Sequence, residues 1–158
     1  MKKMSFSLVI LLIFSFLAFG KSKPAPYFQL KDINGKVVKL TDLKGKPVVI
    51  IFWSTVCPKC RKELPEISKK LVPKYKNVQF IGIVTNTKDI KEIKETIKRW
   101  GINFPVLIAD KKVKIKYGFR GTPMFYFLDK DLNVKAIIYG ARKLKTYEKL
   151  IKKIGGGN

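Results

Sequence analysis

The chain has 158 residues, 46% hydrophobic and 12% aromatic, which suits one domain with a substantial core and excludes both a two-domain protein and a disordered one. Lys and Arg number 34 against 11 Asp and Glu, a formal net charge of +23, and histidine is absent. The cations are scattered through every segment, so no nucleic acid partner is expected; a basic surface turned toward anionic lipid or acidic partners accounts for the charge better.

Lys2 and Lys3 precede an apolar run from Ser5 to Gly20. A basic start and a short apolar stretch are the pattern of a secretory signal, with small residues placed for cleavage after Gly20. An uncleaved membrane anchor through residues 5–20 is the alternative and is slightly preferred. Either way the remainder is expected outside the cytoplasm, tethered or secreted. Residues 21–26, Lys-Ser-Lys-Pro-Ala-Pro, read as a linker.

Residues 27–40 hold two short alternating runs around Asn34-Gly35, a dipeptide that favours a tight hairpin turn. Asp42 to Lys46 reads as loop. Val48 to Trp53 is continuously apolar, as in a strand buried on both faces of a sheet. Pro58 follows at a position suited to the first turn of a helix, which runs on with Pro65 as an expected kink. Val78–Thr85 reads as a second strand. Asp89–Trp100 reads as an amphipathic helix, with Ile90, Ile93, Ile97 and Trp100 on one face and Gly101 as its stop. Phe104–Ala109 is a third strand, followed by a short basic helix or turn up to Tyr117. Met124–Asp129 and Val134–Gly140 form an antiparallel pair, Lys143–Ile154 a last helix, and residues 155–158 a flexible tail. The pattern is an α/β domain: a central mixed sheet with helices on both faces, an N-terminal β-hairpin and an inserted helix over residues 27–154.

Cys57 and Cys60 are the only cysteines, and they fall just past the end of the Val48–Trp53 strand, where active groups of such sheets collect. With two cysteines and no histidine, a closed four-ligand zinc site within one chain is excluded. A disulfide that served only as a staple would close too small a loop to restrain the unfolded chain much. At a helix N-terminus, beside Lys59, Arg61 and Lys62, Cys57 would have a lowered pKa and act as the attacking thiolate. Cys60, one turn inside, would resolve the mixed disulfide.

The stretch Trp53-Ser54-Thr55-Val56-Cys57-Pro58-Lys59-Cys60, with Lys116-Tyr117-Gly118-Phe119-Arg120-Gly121-Thr122-Pro123 much later, resembles thioredoxin-like proteins. The opening Ala25-Pro26-Tyr27-Phe28-Gln29-Leu30, with Asp32 and Gly35-Lys36, resembles the exported TlpA/ResA/CcmG branch. The resemblance spans roughly residues 24–154 and implies a thioredoxin-like fold. It implies a cis bond before Pro123, placed against the cysteines, and a Thr122 backbone open to pairing with an extended substrate. Trp53, Pro58, Thr122 and Pro123 are thereby the expected substrate-binding residues. Glu63 matches an acid that tunes the cysteines and handles protons in ResA and CcmG types; the plainer alternative is a solvated Glu paired with Lys59. Two departures separate the chain from a general thioredoxin. Ile51 stands where a buried Asp would be, and Val56 where a Trp would precede the first Cys.

The resemblance implies an extracytoplasmic thiol–disulfide oxidoreductase, acting as a monomer with no cofactor beyond the Cys57–Cys60 disulfide. Its partners would be protein disulfides, apocytochrome c foremost, and a membrane thiol reductant. The alternatives are a disulfide-donating oxidase, a non-catalytic binding module, and a peroxiredoxin-like peroxide reductase, for which Ser54 is correctly spaced but Ile50 is not the expected Pro.

Overall fold

The computed structural model describes residues 23–157. The expected signal or anchor over residues 1–20 lies outside them. Among the described residues no helix is long and apolar enough to cross a membrane.

The strand Val48–Trp53 (β3) explains the layering. All six of its side chains are buried. Val49, Ile51 and Trp53 enter one core, and Val48, Ile50 and Phe52 the other, because successive strand residues point to opposite faces. β3 pairs in parallel with β4 (Gln79–Val84), which pairs in parallel with β5 (Val106–Ile108). On its other side β3 pairs antiparallel with β6 (Met124–Leu128), and β6 with β7 (Val134–Tyr139). The resulting five-stranded mixed sheet has the order β5-β4-β3-β6-β7, the thioredoxin-like α/β arrangement that the motifs imply.

One face is covered by α1 (Pro58–Glu66), α2 (Ile90–Trp100) and α4 (Leu144–Lys153), through buried Leu64, Ile93, Trp100, Tyr147 and Ile151. The other is covered by the short α3 (Lys111–Lys116), the hairpin β1 (Gln29–Lys31) and β2 (Val37–Lys39), and the 3-10 turn Leu40–Leu43, through Phe28, Leu30, Leu40, Leu43, Val113 and Tyr117. Asp89 caps α2, its carboxylate accepting from the Lys91 and Glu92 N–H groups, and Gly101 closes the helix in the left-handed region at φ 62°.

Several local expectations change. The hairpin turn is longer than a two-residue turn, running from Asp32 to Lys36. Asp32 organises it, its Oδ1 accepting from the Asn34 and Lys36 N–H groups. The third strand begins at Val106, since Pro105 has no N–H to donate. The helix runs through Pro65 as expected, and just beyond it winds into a π-helical turn over Ile67–Leu71, in which the Val72 N–H reaches back to the Ile67 carbonyl at 3.1 Å.

The assigned linker and tail also change. The Val134 N–H donates to the Lys23 carbonyl at 2.7 Å, the Ala25 N–H donates to the Leu132 carbonyl at 2.9 Å, and Ala25 is buried. Residues 23–26 therefore dock beside the turn before β7. At the other end, Gly156 is buried and donates to the Ile151 carbonyl at 2.8 Å, and the Asn77 amide donates to the Gly155 carbonyl at 3.1 Å. Backbone polar groups at both ends find partners that composition does not reveal.

Candidate active site

β3 delivers the chain into a tight loop, Ser54–Val56, before α1 begins. The loop is held from within and from a neighbouring element. The Val56 N–H donates to Ser54 Oγ at 3.3 Å and the Cys57 N–H to the Ser54 carbonyl at 3.2 Å. From the β4–α2 connection, Asn86 accepts from the Thr55 N–H at 3.1 Å and donates to Thr55 Oγ1 at 2.8 Å. Thr55 Oγ1 in turn donates to Glu92 on α2. Asn86 and Glu92 are not marked by any motif, because they lie 31 and 37 residues from Thr55 in the chain.

Cys57 is the N-cap of α1, with Pro58 at its first position. Cys57 and Cys60 form a disulfide with Cα atoms 5.2 Å apart. The Cys60 N–H donates to Cys57 Sγ at 3.1 Å. That hydrogen bond and the positive end of the helix dipole both favour negative charge on Cys57 sulfur once the bond is reduced. The two residues differ in exposure: Cys57 is 8% exposed and borders a cleft, and Cys60 is 0% exposed.

Glu63 lies one turn beyond Cys60 on α1, half-buried. It does not pair with Lys59. Its Oε1 accepts from Tyr147 Oη at 2.8 Å and from the Arg142 N–H at 2.7 Å, and its Oε2 is buried with no partner. Burial pushes the carboxyl above its ordinary range, against the Tyr147 and Arg142 hydrogen bonds, which work the other way. Burial and the Glu63 contact drive the Tyr147 hydroxyl well above the usual phenol value. Tyr147 and Arg142 were missed from the sequence. Tyr147 reads as a core residue of α4, and Arg142 contributes a backbone N–H that any residue but proline would supply.

The Thr122–Pro123 bond is cis. Because β3 and β6 run antiparallel with Phe52 opposite Met124, Pro123 sits at the same sheet end as the cysteines. Pro123 is buried, Thr122 half-buried and Pro58 exposed. Trp53 departs from its assigned substrate contact. It is 0% exposed, packed against Trp100 with ring centroids 5.7 Å apart, and it lies over Gly82, where an added Cβ would come within 2.9 Å of Trp53 Nε1. Strand alternation sends the Trp53 side chain into the core, beneath the loop that leads to Cys57. Ile51, also 0% exposed, leaves no carboxylate on β3 beneath the cysteines.

Beside Cys57 lies an open cleft of about 480 Å³ between Thr55, Val56, Pro58, Arg61, Lys62 and Trp100. Among the described residues, no group of three or more His, Cys, Asp or Glu side chains is placed to hold a metal.

Residues 22–137 match the AhpC/TSA family. The chain is 40% identical over 136 residues to the thiol-disulfide oxidoreductase ResA of Bacillus thuringiensis (strain Al Hakam), covering 84% of this chain and 77% of that protein. A thiol:disulfide interchange protein of the thioredoxin family from Chlorobium tepidum superposes with TM-score 0.76 at 28% identity, covering 87% of this chain and 99% of the other. A secreted Mycobacterium tuberculosis disulfide oxidoreductase, homologous to E. coli DsbE, superposes with TM-score 0.71 at 25% identity, covering 80% and 95%. With a disulfide capping α1 at the carboxyl end of the central strand, and relatives that share both fold and activity, the chain belongs to the AhpC/TSA family as a thioredoxin-like thiol–disulfide oxidoreductase of the TlpA/ResA/CcmG type.

Proposed function

We propose that the chain is an extracytoplasmic reductase of disulfides in exported proteins, with the cysteine pair of apocytochrome c as the leading substrate class. The observation that carries the proposal is the unequal Cys57–Cys60 pair at the α1 N-terminus: Cys57 borders the cleft and its sulfur accepts a hydrogen bond, while Cys60 is fully buried. The basic run before Ser5 and the likeness to a secreted relative support the location.

In the reduced enzyme the Cys57 thiolate attacks a substrate sulfur, forming a mixed disulfide and releasing the other substrate sulfur, which takes up a proton. Cys60 then loses its proton and attacks Cys57 Sγ, which frees the second substrate thiol and closes the enzyme disulfide. Two electrons pass from the enzyme dithiol to the substrate; of the two protons the substrate sulfurs take up, one is matched by the proton Cys60 gives to Glu63 and the other comes from solvent. Glu63, whose buried Oε2 has no other partner, serves as the acceptor for the Cys60 proton. The half-buried Thr122 backbone beside cis-Pro123 pairs with the extended substrate. A dithiol reductant at the membrane restores the reduced state, so the working group is the disulfide itself, with no further cofactor.

The reduction potential tests the direction of flow. Equilibrated with a thiol redox buffer, a reductase of this kind is expected near about −270 mV. A value near roughly −120 mV would overturn the reductase reading and make the protein a disulfide donor.

A further inference from the structure

The cleft beside Cys57 differs from ordinary exposed surface in two ways. Val56, directly before the nucleophile, is 75% exposed, the most of any large hydrophobic side chain among the described residues. Its backbone is pinned within the loop, yet its side chain is left in solvent next to Pro58 and the edge of Trp100. On the other rim, Arg61 and Lys62 are both exposed. Among the described residues, neither side chain takes part in an ion pair or a hydrogen bond, and no acidic residue lines the cleft. The nearby carboxylates are occupied elsewhere: Glu63 faces Tyr147 and Arg142, Glu92 holds Thr55, and Glu66 pairs with Lys70.

An apolar shelf and two unneutralised cations lining one cleft with the attacking cysteine form a recognition surface with a definite complement. We propose that the cleft selects substrate segments in which the attacked disulfide is flanked by an apolar side chain, seated on Val56 and Trp100, and by an acidic side chain, paired with Arg61 and Lys62. The proposal rests on the reductase reading above and names the substrate class that reading leaves open. The acidic group takes no part in the chemistry: the bond formed is still Cys57 Sγ to substrate sulfur, the bond broken is the substrate disulfide, and the electrons come from the enzyme dithiol. Its effect is on encounter and register, the usual role of charges at the rim of an interface.

The test uses the reduced full chain and three synthetic peptides of equal length. Each has one intramolecular disulfide and a Leu beside the attacked cysteine; the next two positions are Glu-Glu, Gln-Gln or Lys-Lys. The expected order of kcat/KM is Glu over Gln over Lys, with about tenfold between neighbours at low ionic strength and convergence near about 1 M salt. The R61E/K62E variant should invert the order. Both side chains are exposed, so the exchange disturbs no buried contact, and a urea midpoint for the variant checks that it folds. The order within one variant is also insensitive to altered Cys57 reactivity.

The control is K44E/K46E, which changes the net charge equally. Both lysines are exposed and precede β3, so a six-residue strand, roughly 20 Å long, separates them from Cys57. This control should keep the wild-type order. Equal rates for all three peptides would overturn the proposal and leave the reductase reading standing. So would an inversion by K44E/K46E as complete as that by R61E/K62E, since the preference would then come from net charge and not from the cleft. If the wild-type enzyme reduces none of the peptides, the reductase reading fails and this inference fails with it.

Discussion

Glu63 is the residue whose environment says most about its work. Its Oε1 is saturated by Tyr147 Oη and the Arg142 N–H, while Oε2 is enclosed without a partner. Because burial raises its pKa above the ordinary value of 4.5, the native state holds this proton more tightly than the unfolded chain does. Between the ordinary value and the raised one, the native state therefore binds more protons, and stability falls as pH rises through that window. Glu63→Gln should remove this falling limb, and urea midpoints measured across the acidic range will show whether the slope disappears. In the same variant the resolving step, followed by single-turnover release of substrate thiol, should slow by about 10²-fold through loss of the proton acceptor. A wild-type rate for that step would assign the Cys60 proton to solvent instead.

The packing of β3 against β4 depends on a glycine that no motif advertises. A Cβ at Gly82 would lie 2.9 Å from both Trp53 Nε1 and Phe104 Cε2, contacts that neither buried ring can relieve by simple rotation. Gly82→Ala is expected to destabilise the fold by about 1–3 kcal/mol, as overpacking of a dense core does, seen as a lower denaturant midpoint. Because Trp53 runs directly into the loop that presents Cys57, the same substitution should also lower the rate of mixed-disulfide formation. At this scale the inserted helix α2 acquires a role beyond covering the sheet: Glu92, with Asn86 just before the helix, fixes Thr55 two residues from the nucleophile.

For the molecule as a whole, the domain begins before the point where its composition turns from linker to strand. Lys23 and Ala25 bond to Val134 and Leu132, joining the N-terminal approach to the far edge of the sheet. A chain starting at residue 27 should therefore be less stable than one starting at residue 21, by about 1–2 kcal/mol for two hydrogen bonds and a buried alanine. Urea unfolding of the two chains measures this directly, and equal midpoints would return residues 23–26 to the status of a tether. The charge of +23 acts at the same scale, as a positive field whose range is set by ionic strength.

The amino-acid sequence determined the elements and the place of the chemistry. The apolar run Val48–Trp53, the period of α2 and the cysteine spacing after a strand all express short-range rules: side-chain alternation, helix periodicity and the field at a helix N-terminus. Those rules need only neighbours in the chain, so they are legible without a structure. What only the tertiary structure decided is the set of partners brought together by chain crossing. Glu63 meets Tyr147 and Arg142 across 84 and 79 residues. Thr55 meets Asn86 and Glu92, and Trp53 turns inward onto Gly82. Such contacts are set by sheet register and packing, where the identity of each residue constrains its distant partner too weakly to be read from one sequence.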